Sequence, residues 1–282
     1  MFLKPREFAV LGNPVEHSLS PIIHQQFAQQ FDHAITYSRQ RLEVETFVPY
    51  VRDFFSADGG GLNVTVPFKL LAHDCADWLD ISAQQAAAAN TLVFGANGLE
   101  AWNTDGVGLI NDLTERCNLV LAAKKILILG AGGAAQGIIG PLLDCAPASL
   151  TVANRTRAKA AELVSRTVLF YPLADIRAQS LQEIADSQQR FDLIINSTSL
   201  GLDGGDVTVS PELAVGAFCY DLSYGAAAVF ARWAQRAGAS GVADGLGMLV
   251  EQAAFSYKIW FGVKPQTAKV YQLLAERLNS RD

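Results

Sequence analysis

The sequence has little positive charge. Its 22 Lys and Arg residues stand against 28 Asp and Glu residues, which gives a formal net charge of −6. Proteins that bind along a nucleic-acid backbone need a basic surface, so we expect no nucleic-acid partner. Half of the 282 residues are hydrophobic and only 18% are charged. This composition predicts a folded protein of about two domains.

Features of exported and membrane proteins are also missing. Charged residues precede any apolar run at the N-terminus, so no secretory signal is predicted. The apolar stretch 126–143 is long enough to resemble a membrane span. It contains five glycines and Pro141, which disfavour a transmembrane helix. We therefore expect no membrane partner.

Cysteine and histidine show no spacing typical of disulfide or metal chemistry. The four cysteines form no Cys-x-x-Cys pair and are expected to be reduced thiols, as in a cytoplasmic protein. The histidines lack a pattern such as His-x-x-x-His, so no metal is expected. These histidines are His17, His24, His33 and His73.

Apolar runs bounded by turn residues alternate with longer amphipathic stretches, which is the pattern of an α/β protein with parallel sheets. Asn97-Gly98 predicts a tight hairpin between strands Thr91–Phe94 and Leu99–Trp102. The other elements predicted in the first third are Phe8–Gly12, Pro21–Phe31, Leu62–Val66 and Ala83–Ala89.

A second series of strands and helices begins near residue 106, which places a domain boundary near residue 105. Two further helices are predicted in the tail, and we expect them to cover the first domain. The expected organisation is a first domain at 1–105, a second at 106–243, and C-terminal helices at 244–282. The predicted elements are Val107–Arg116, Lys125–Leu129, Ala134–Leu143, Leu150–Ala153, Arg157–Val164, Leu193–Asn196, Phe218–Leu222, Met248–Phe261 and Thr267–Leu278.

A glycine-rich loop joins a strand and a helix of the second series. Its glycines let a pyrophosphate approach the backbone, and the helix N-terminus offers unpaired N–H groups. Because the Gly-x-Gly-x-x-Ala spacing lies in this strand–loop–helix context, it predicts a Rossmann-type dinucleotide site. A glycine-rich turn without a ligand is the less favoured alternative. The loop residues are Gly130, Ala131, Gly132, Gly133 and Ala134.

The end of the next predicted strand indicates which dinucleotide binds. NAD-type sites usually have an Asp or Glu there to hold the ribose hydroxyls. This sequence instead has Asn154, Arg155 and Thr156, followed by Lys159. A guanidinium is suited to a 2′-phosphate, so NADP is favoured over NAD. The alternative, a solvated basic helix start, is disfavoured because cations oppose the helix dipole there.

Further polar clusters lie outside this loop. Ser20 is suited to cap the helix that follows, and Ser18 adds a second hydroxyl for a carboxylate. Lys69 follows a predicted strand, at the end where α/β sheets place ligands. Asn90 and Asp105 add an amide and a carboxylate before the domain boundary. These groups indicate a small-molecule substrate site.

Short strings in one order along nearly the whole chain extend these clusters. They are Gly12-Asn13-Pro14, His17-Ser18-Leu19-Ser20-Pro21, Asn63-Val64-Thr65-Val66-Pro67-Phe68-Lys69, Asn90-Thr91-Leu92, Asn103-Thr104-Asp105-Gly106, Gly130-Ala131-Gly132-Gly133-Ala134, Asn154-Arg155-Thr156, Tyr220-Asp221-Leu222-Ser223-Tyr224, and Asp244-Gly245-Leu246-Gly247-Met248 with Gln252. Together they resemble the shikimate dehydrogenase family, NADP-dependent enzymes of aromatic amino-acid biosynthesis. The resemblance implies a substrate domain built from the first third and the C-terminal helices, with a Rossmann-type NADP domain between them.

The resemblance also implies a reaction, the reversible NADPH-dependent reduction of 3-dehydroshikimate to shikimate. It implies that Lys69 and Asp105 are the catalytic pair. The residues implied to hold the substrate carboxylate are Ser18, Ser20 and Tyr224. Those implied to bind the ring hydroxyls are Thr65, Asn90, Asp105 and Gln252. Those that match positions along the nicotinamide half of the cofactor are Leu222, Gly245 and Met248.

Alternatives to this function stay open. A quinate/shikimate dehydrogenase of broader specificity belongs to the same class, although Arg155 counts against an NAD-preferring form. A catalytically silent ligand sensor on the same fold should have lost Lys69 or Asp105, and both are present. The sequence leaves monomer and homodimer equally open, and it suggests no role for Glu251.

Overall fold

Two units make up the part of the chain that the computed structural model describes, residues 5–198 and 209–280. Met1–Gly108 and Val250–Leu273 form the first unit, and Leu109–Leu249 and Leu274–Asp282 form the second. The helices are α1 (Ser20–Gln29), α2 (Val44–Ser56), α3 (Lys69–Asp74), α4 (Ile81–Ala86), α5 (Asp105–Asn111), α6 (Gly133–Asp144), α7 (Arg157–Val168), α8 (Leu181–Asp186), α9 (Val229–Arg236), α10 (Leu246–Phe261) and α11 (Ala268–Asn279).

The sheet of the first unit is mixed. Its strands are β1 (Arg6–Gly12), β2 (Ile35–Arg41), β3 (Gly61–Val64), β4 (Trp78–Leu79), β5 (Thr91–Gly95) and β6 (Gly98–Trp102). They lie in the order β2-β1-β3-β5-β6-β4, with β5 antiparallel to both β3 and β6. The predicted hairpin is thereby confirmed, and Gly98 supplies the positive φ of 86° next to the turn.

Helices cover both faces of this sheet. Successive side chains of β1 point to opposite faces, so both faces present apolar residues that must be buried. Ala9 and Leu11 enter a core that contains residues of α2. Phe8 on the other face packs against Trp260 of α10, with ring centroids 4.9 Å apart. Gly61 makes this approach possible, since a Cβ there would lie 2.3 Å from Trp260 Nε1.

The sheet of the second unit is parallel throughout its described strands. These are β7 (Lys125–Leu129), β8 (Ser149–Asn154), β9 (Ile176–Ser180), β10 (Leu193–Asn196), β11 (Phe218–Asp221) and β12 (Gly241–Ala243), in the order β12-β11-β10-β7-β8-β9. Ile126 and Ile128 enter one core, and Leu127 and Leu129 enter the other. A sheet buried on both faces explains the continuous apolar run of β7.

The apolar stretch 126–143 thus divides between β7 and α6. Its glycines lie in the connecting loop and in α6. Among the described helices, none is long and apolar enough to cross a bilayer.

Several predicted elements differ from the structure. The helix predicted at Ala83–Ala89 is α4, which ends earlier because Ala87 adopts a left-handed conformation with φ 45°. It also starts earlier, since Asp80 caps it by accepting from Ser82 N at 2.9 Å. The predicted helix Val107–Arg116 consists of α5 and a π-helical turn, Asp112–Arg116. The sequence pattern missed β2 and α2 altogether.

Candidate active site

The Asp105 carboxylate is the centre of a polar cluster in the first unit. Asp105 begins α5 and is 5% exposed. Its Oδ2 accepts from Lys69 Nζ in an ion pair, and its Oδ1 accepts from Asn90 Nδ2 at 2.8 Å. The Lys69 side chain keeps 21% exposure. An ammonium held in this way can donate a proton and stabilise a developing negative charge.

Local turns place the two charged residues of this cluster. Lys69 is the first residue of α3, and a turn in which Phe68 N donates to Thr65 O at 3.0 Å leads into that helix. The Asp105 backbone N donates to Asn103 Oδ1 at 3.1 Å. Thr65 is half-buried at the end of β3. The structure therefore puts Thr65 in the turn that leads into the helix that carries Lys69.

The Asn90 amide has a defined orientation. Its Oδ1 accepts from Thr104 N at 2.9 Å, from Thr104 Oγ1 at 3.1 Å and from Thr91 Oγ1 at 2.9 Å. Its Nδ2 donates to Asp105 Oδ1. A flipped amide would set its oxygen against the carboxylate and its NH2 against the Thr104 N–H. The amide therefore presents a donor to Asp105.

Gln252 joins this cluster from α10. Its Oε1 accepts from Asn90 Nδ2 at 3.4 Å and lies 3.3 Å from Thr104 Oγ1. Gly108 lets α5 and α10 approach, because a Cβ at Gly108 would lie 2.7 Å from the Gln252 backbone N. A residue far along the chain is thus part of the same site.

Ser18 and Ser20 form a hydroxyl pair at the start of α1. Ser18 Oγ donates to Ser20 Oγ at 3.1 Å, and Ser20 N donates to Ser18 Oγ at 3.3 Å. The prediction that Ser20 caps α1 is wrong. The cap is Leu19, whose carbonyl accepts from Ile23 N at 3.1 Å, so Ser20 is already the first helical residue.

A second polar layer lies behind Asn90. Tyr37 OH donates to Asn63 Oδ1 at 2.7 Å, and Asn63 Nδ2 donates to Ser256 Oγ at 3.0 Å. Ser256 Oγ in turn lies 2.7 Å from Thr91 Oγ1. Burial raises the pKa of Tyr37 well above its usual value, against a smaller opposite effect of the Ser20 hydroxyl. Tyr37 therefore stays protonated and acts as a donor.

His24 lies in the same interior but takes no part in its hydrogen bonds. Its ring stacks on Tyr37 with centroids 4.5 Å apart, and neither ring nitrogen has a hydrogen-bond partner. Burial lowers the pKa of His24 to about 3, although the nearby Asn63 side chain acts in the opposite direction. His24 is therefore neutral at physiological pH. Nowhere in residues 5–198 and 209–280 do three or more His, Cys, Asp or Glu side chains gather as metal ligands.

The glycine-rich loop of the second unit connects β7 to α6. Gly130 has φ 106°, and a Cβ there would lie 2.6 Å from Ser197 Oγ. By contrast, a Cβ built at Gly132 or at Gly133 meets no atom within 4 Å. Gly130 is thus required by the protein's own turn. The other two glycines leave an open surface at a helix N-terminus, which fits the pyrophosphate of a dinucleotide.

Exposed cations follow β8, as the sequence predicts. Asn154 Nδ2 donates to Thr156 O at 2.9 Å and holds the turn that leads into α7. Arg157 pairs with Glu183 at 3.3 Å. The exposed Arg155 and Lys159 have no ion-pair partner among the described residues. Their free charges fit a 2′-phosphate.

The residues expected along the nicotinamide half of the cofactor also lie close together in the second unit. A Cβ at Gly245 would lie 2.1 Å from Leu222 O, so only glycine fits there. Met248 N donates to Tyr220 OH at 3.3 Å. Tyr224 is half-buried in this unit, and burial raises its pKa. Its predicted contact with the substrate carboxylate stays a prediction.

Family models match most of the chain. The model described as shikimate dehydrogenase substrate binding domain matches residues 10–92, that of shikimate / quinate 5-dehydrogenase matches 112–201, and that of the shikimate 5′-dehydrogenase C-terminal domain matches 245–275. The shikimate dehydrogenase (NADP(+)) of Alkalilimnicola ehrlichii is 46% identical over 95% of this chain and 97% of its own. The chain belongs to the shikimate dehydrogenase family.

Other relatives and solved structures agree with this membership. The shikimate dehydrogenase (NADP(+)) of Coxiella burnetii is 42% identical over 96% of this chain and 99% of its own. The shikimate 5-dehydrogenase of Thermus thermophilus, solved in complex with NADP(H) and shikimate, has a TM-score of 0.82 at 27% identity, covering 97% and 99% of the two chains. The predicted α/β fold and the family resemblance are confirmed.

Two polar residues of the layer behind Asn90 are not predicted from the sequence. Ser256 stands one helical turn beyond Gln252 on α10, and its Oγ lies 3.1 Å from Gln252 O. That spacing is a signal, but the surrounding aromatic residues favoured a purely apolar face. Tyr37 lies on β2, which the sequence pattern missed, so nothing pointed to it.

Glu251 has a structural partner in this site region. Its carboxylate pairs with Lys264 Nζ at 3.3 Å, and the same ammonium lies 4.6 Å from the centroid of the Phe255 ring. These contacts tie α10 to the segment before α11. They account for the residue to which the sequence assigned no role.

Gly132→Ala should separate a ligand requirement from a folding requirement. Because a Cβ at Gly132 meets no protein atom, the free energy of unfolding should fall by no more than about 1 kcal/mol, the usual loss when alanine replaces a favoured N-cap residue. The added methyl would occupy the space of a bound pyrophosphate and should weaken NADP binding by roughly tenfold or more. Urea unfolding and calorimetric titration with NADP measure the two quantities.

Gly130→Ala is the contrasting variant. Its clash with Ser197 and its positive φ should lower stability in the absence of any ligand. Unchanged NADP affinity in Gly132→Ala would show that no pyrophosphate approaches this loop.

Proposed function

We propose that the protein is an NADP-dependent shikimate dehydrogenase, which interconverts 3-dehydroshikimate and shikimate in aromatic amino-acid biosynthesis. The observation that carries the proposal is the Asp105 carboxylate bound to both Lys69 and Asn90. It occurs in a chain with relatives of that name at 42% and 46% identity.

Lys69 handles the proton of the reaction. During reduction, negative charge grows on the oxygen of the substrate ketone, and the Lys69 ammonium stabilises and protonates that oxygen. In the reverse direction the lysine accepts the hydroxyl proton. Asp105 Oδ2 orients the ammonium, and its Oδ1 is held by Asn90.

The remaining polar side chains of the first unit hold the substrate. The Ser18 and Ser20 hydroxyls bind its carboxylate, to which the family resemblance also assigns Tyr224 of the second unit. The ring hydroxyls form hydrogen bonds with polar groups of several elements, and any hydroxyl bound to the Asp105 carboxylate acts as the donor. These groups belong to Thr65, Asn90, Asp105 and Gln252.

The second unit binds NADP, which supplies or accepts a hydride when bound. The pyrophosphate lies on the open loop surface at Gly132 and Gly133. Arg155 holds the 2′-phosphate with help from Thr156 and Lys159. The other cofactor contacts are assigned to Gly130, Ala131, Ala134, Asn154, Leu222, Gly245 and Met248.

Location and assembly complete the proposal. Cys75, Cys117, Cys145 and Cys219 are free thiols in the structure. We place the enzyme in the cytoplasm, where thiols stay reduced. Monomer and homodimer both remain compatible with the described chain.

A steady-state assay with shikimate and quinate side by side tests the function. Quinate has an extra hydroxyl on the carbon that bears the carboxylate, and this polar group would need its own partner. Ser18 and Ser20 already bond to each other, so kcat/KM for shikimate should exceed that for quinate by roughly tenfold or more. Comparable values would favour the broad-specificity alternative, and inactivity with both acids would refute the dehydrogenase assignment.

Lys69→Ala tests the proton donor. Because the ammonium acts on the transition state more than on binding, kcat should fall by roughly 10² or more while KM for shikimate changes much less. Lys124→Ala removes another ion-paired lysine, which bonds to Asp192 at 3.4 Å, and should keep the wild-type kcat. A folded Lys69→Ala protein with near-normal kcat would remove Lys69 from the mechanism.

Arg155→Ala tests the choice of cofactor. Loss of the guanidinium should raise KM for NADP by roughly tenfold or more and leave KM for NAD nearly unchanged. Arg157→Ala is a matched control, because that guanidinium already pairs with Glu183. An equal loss with both cofactors would mean that another group holds the 2′-phosphate.

A further inference from the structure

We propose that a buried series of hydrogen bonds behind Asn90 positions its amide against Asp105, and that Ser256 and Thr91 are positioning residues for the reaction. The members of this donor chain are, in order, Tyr37, Asn63, Ser256 and Thr91. The proposal rests on the proposed dehydrogenase function.

The donor chain begins at Tyr37. Its hydroxyl is protonated and donates to Asn63 Oδ1 at 2.7 Å. An amide that accepts at its oxygen must present its two N–H groups on the other side. Asn63 Nδ2 there lies 3.0 Å from Ser256 Oγ and 3.2 Å from Asn90 O. Tyr37 thus fixes which way Asn63 points.

The middle of the donor chain consists of two hydroxyls, each with one proton. In this direction Ser256 Oγ accepts a hydrogen bond from Asn63 Nδ2 and donates one to Thr91 Oγ1 at 2.7 Å. Thr91 then donates to Asn90 Oδ1 at 2.9 Å. In the opposite direction Thr91 would be the donor of the same 2.7 Å contact, and Ser256 Oγ would donate to Gln252 O at 3.1 Å in place of the 2.9 Å bond from Thr91 to Asn90 Oδ1. The shorter set runs toward Asn90.

At its end the donor chain acts on the reacting groups. Donation to Asn90 Oδ1 polarises the amide and strengthens the hydrogen bond that Asn90 Nδ2 donates to Asp105. Asp105 in turn holds Lys69. Thr104 also donates to Asn90 Oδ1, so the donor chain reinforces an orientation that Thr104 alone would hold less firmly.

Burial keeps water from replacing the last three members of the donor chain. Thr91 and Ser256 are fully buried, and Asn63 is 6% exposed. These residues come from β5, α10 and β3, so the donor chain links three elements of the first unit. A missing hydroxyl therefore leaves a buried group without a partner rather than a hydrated one.

Thr91→Val is the primary test, because it removes the hydroxyl and keeps the side-chain shape. We expect kcat with shikimate and NADP to fall by about threefold or more, since one hydrogen bond is worth roughly two- to tenfold. KM for shikimate should change by less than about twofold. Thr91→Ser retains the donor and should restore kcat.

A double variant and a control distinguish positioning from general stability. Ser256→Ala should lower kcat as well. The kcat of the double variant Thr91→Val/Ser256→Ala should be only slightly lower than that of Thr91→Val, because both substitutions interrupt the same donor chain. Thr167→Val removes another buried hydroxyl, which donates to Leu163 O at 2.8 Å in the second unit, and should keep the wild-type kcat.

The possible outcomes are separable. The proposal is overturned if kcat of folded Thr91→Val falls by less than about threefold or if Thr91→Ser does not restore kcat. It is also overturned if the effects of Thr91→Val and Ser256→Ala on kcat multiply in the double variant. If Thr91→Val does not fold, Tyr37→Phe takes its place, since that change removes only the first donor. A fall in kcat of less than about threefold in Tyr37→Phe then overturns the proposal. Wild-type protein inactive with shikimate and NADP would instead overturn the proposed function.

Discussion

The buried carboxylate of Asp105 constrains the rest of the first unit. A charge with 5% exposure must be compensated by the protein, and here Lys69 neutralises one oxygen while Asn90 hydrogen-bonds to the other. In buried ion pairs, removal of one partner typically costs about 3–5 kcal/mol, because the other charge is left uncompensated. The arrangement that suits catalysis is therefore also the one that makes the fold tolerate this charge.

The hairpin of β5 and β6 sets the geometry of this carboxylate. Thr91 pairs with Trp102, and Asn90 N donates to Trp102 O at 2.9 Å. Asn90, which immediately precedes β5, is thereby brought close to the start of α5, which follows β6. A two-residue turn fixes the register, and a slip of one residue would turn these side chains to the opposite face.

The same glycine motif in the second unit serves two different physical purposes. Gly130 is needed by the protein itself, because its φ is 106° and Ser197 lies against it. Gly132 and Gly133 face open space, so the folded chain alone gives no reason for glycine there. A sequence pattern presents all three as equivalent, whereas the structure separates what the turn needs from what a ligand needs.

Local physical chemistry let the sequence determine the fold class, the hairpin and the strand–loop–helix of the dinucleotide loop. Strand periodicity, Asn-Gly turns and glycine spacing act over a few residues, so they can be read without knowledge of the partners. The order of motifs was also enough to establish the family. Tertiary structure decided the rest: that Leu19 rather than Ser20 caps α1, that Asn90 rather than solvent holds Asp105, and that Ser256 and Tyr37 stand behind it. These contacts join residues far apart in sequence, and they exist because buried polar groups must find partners wherever the packing of distant elements provides them.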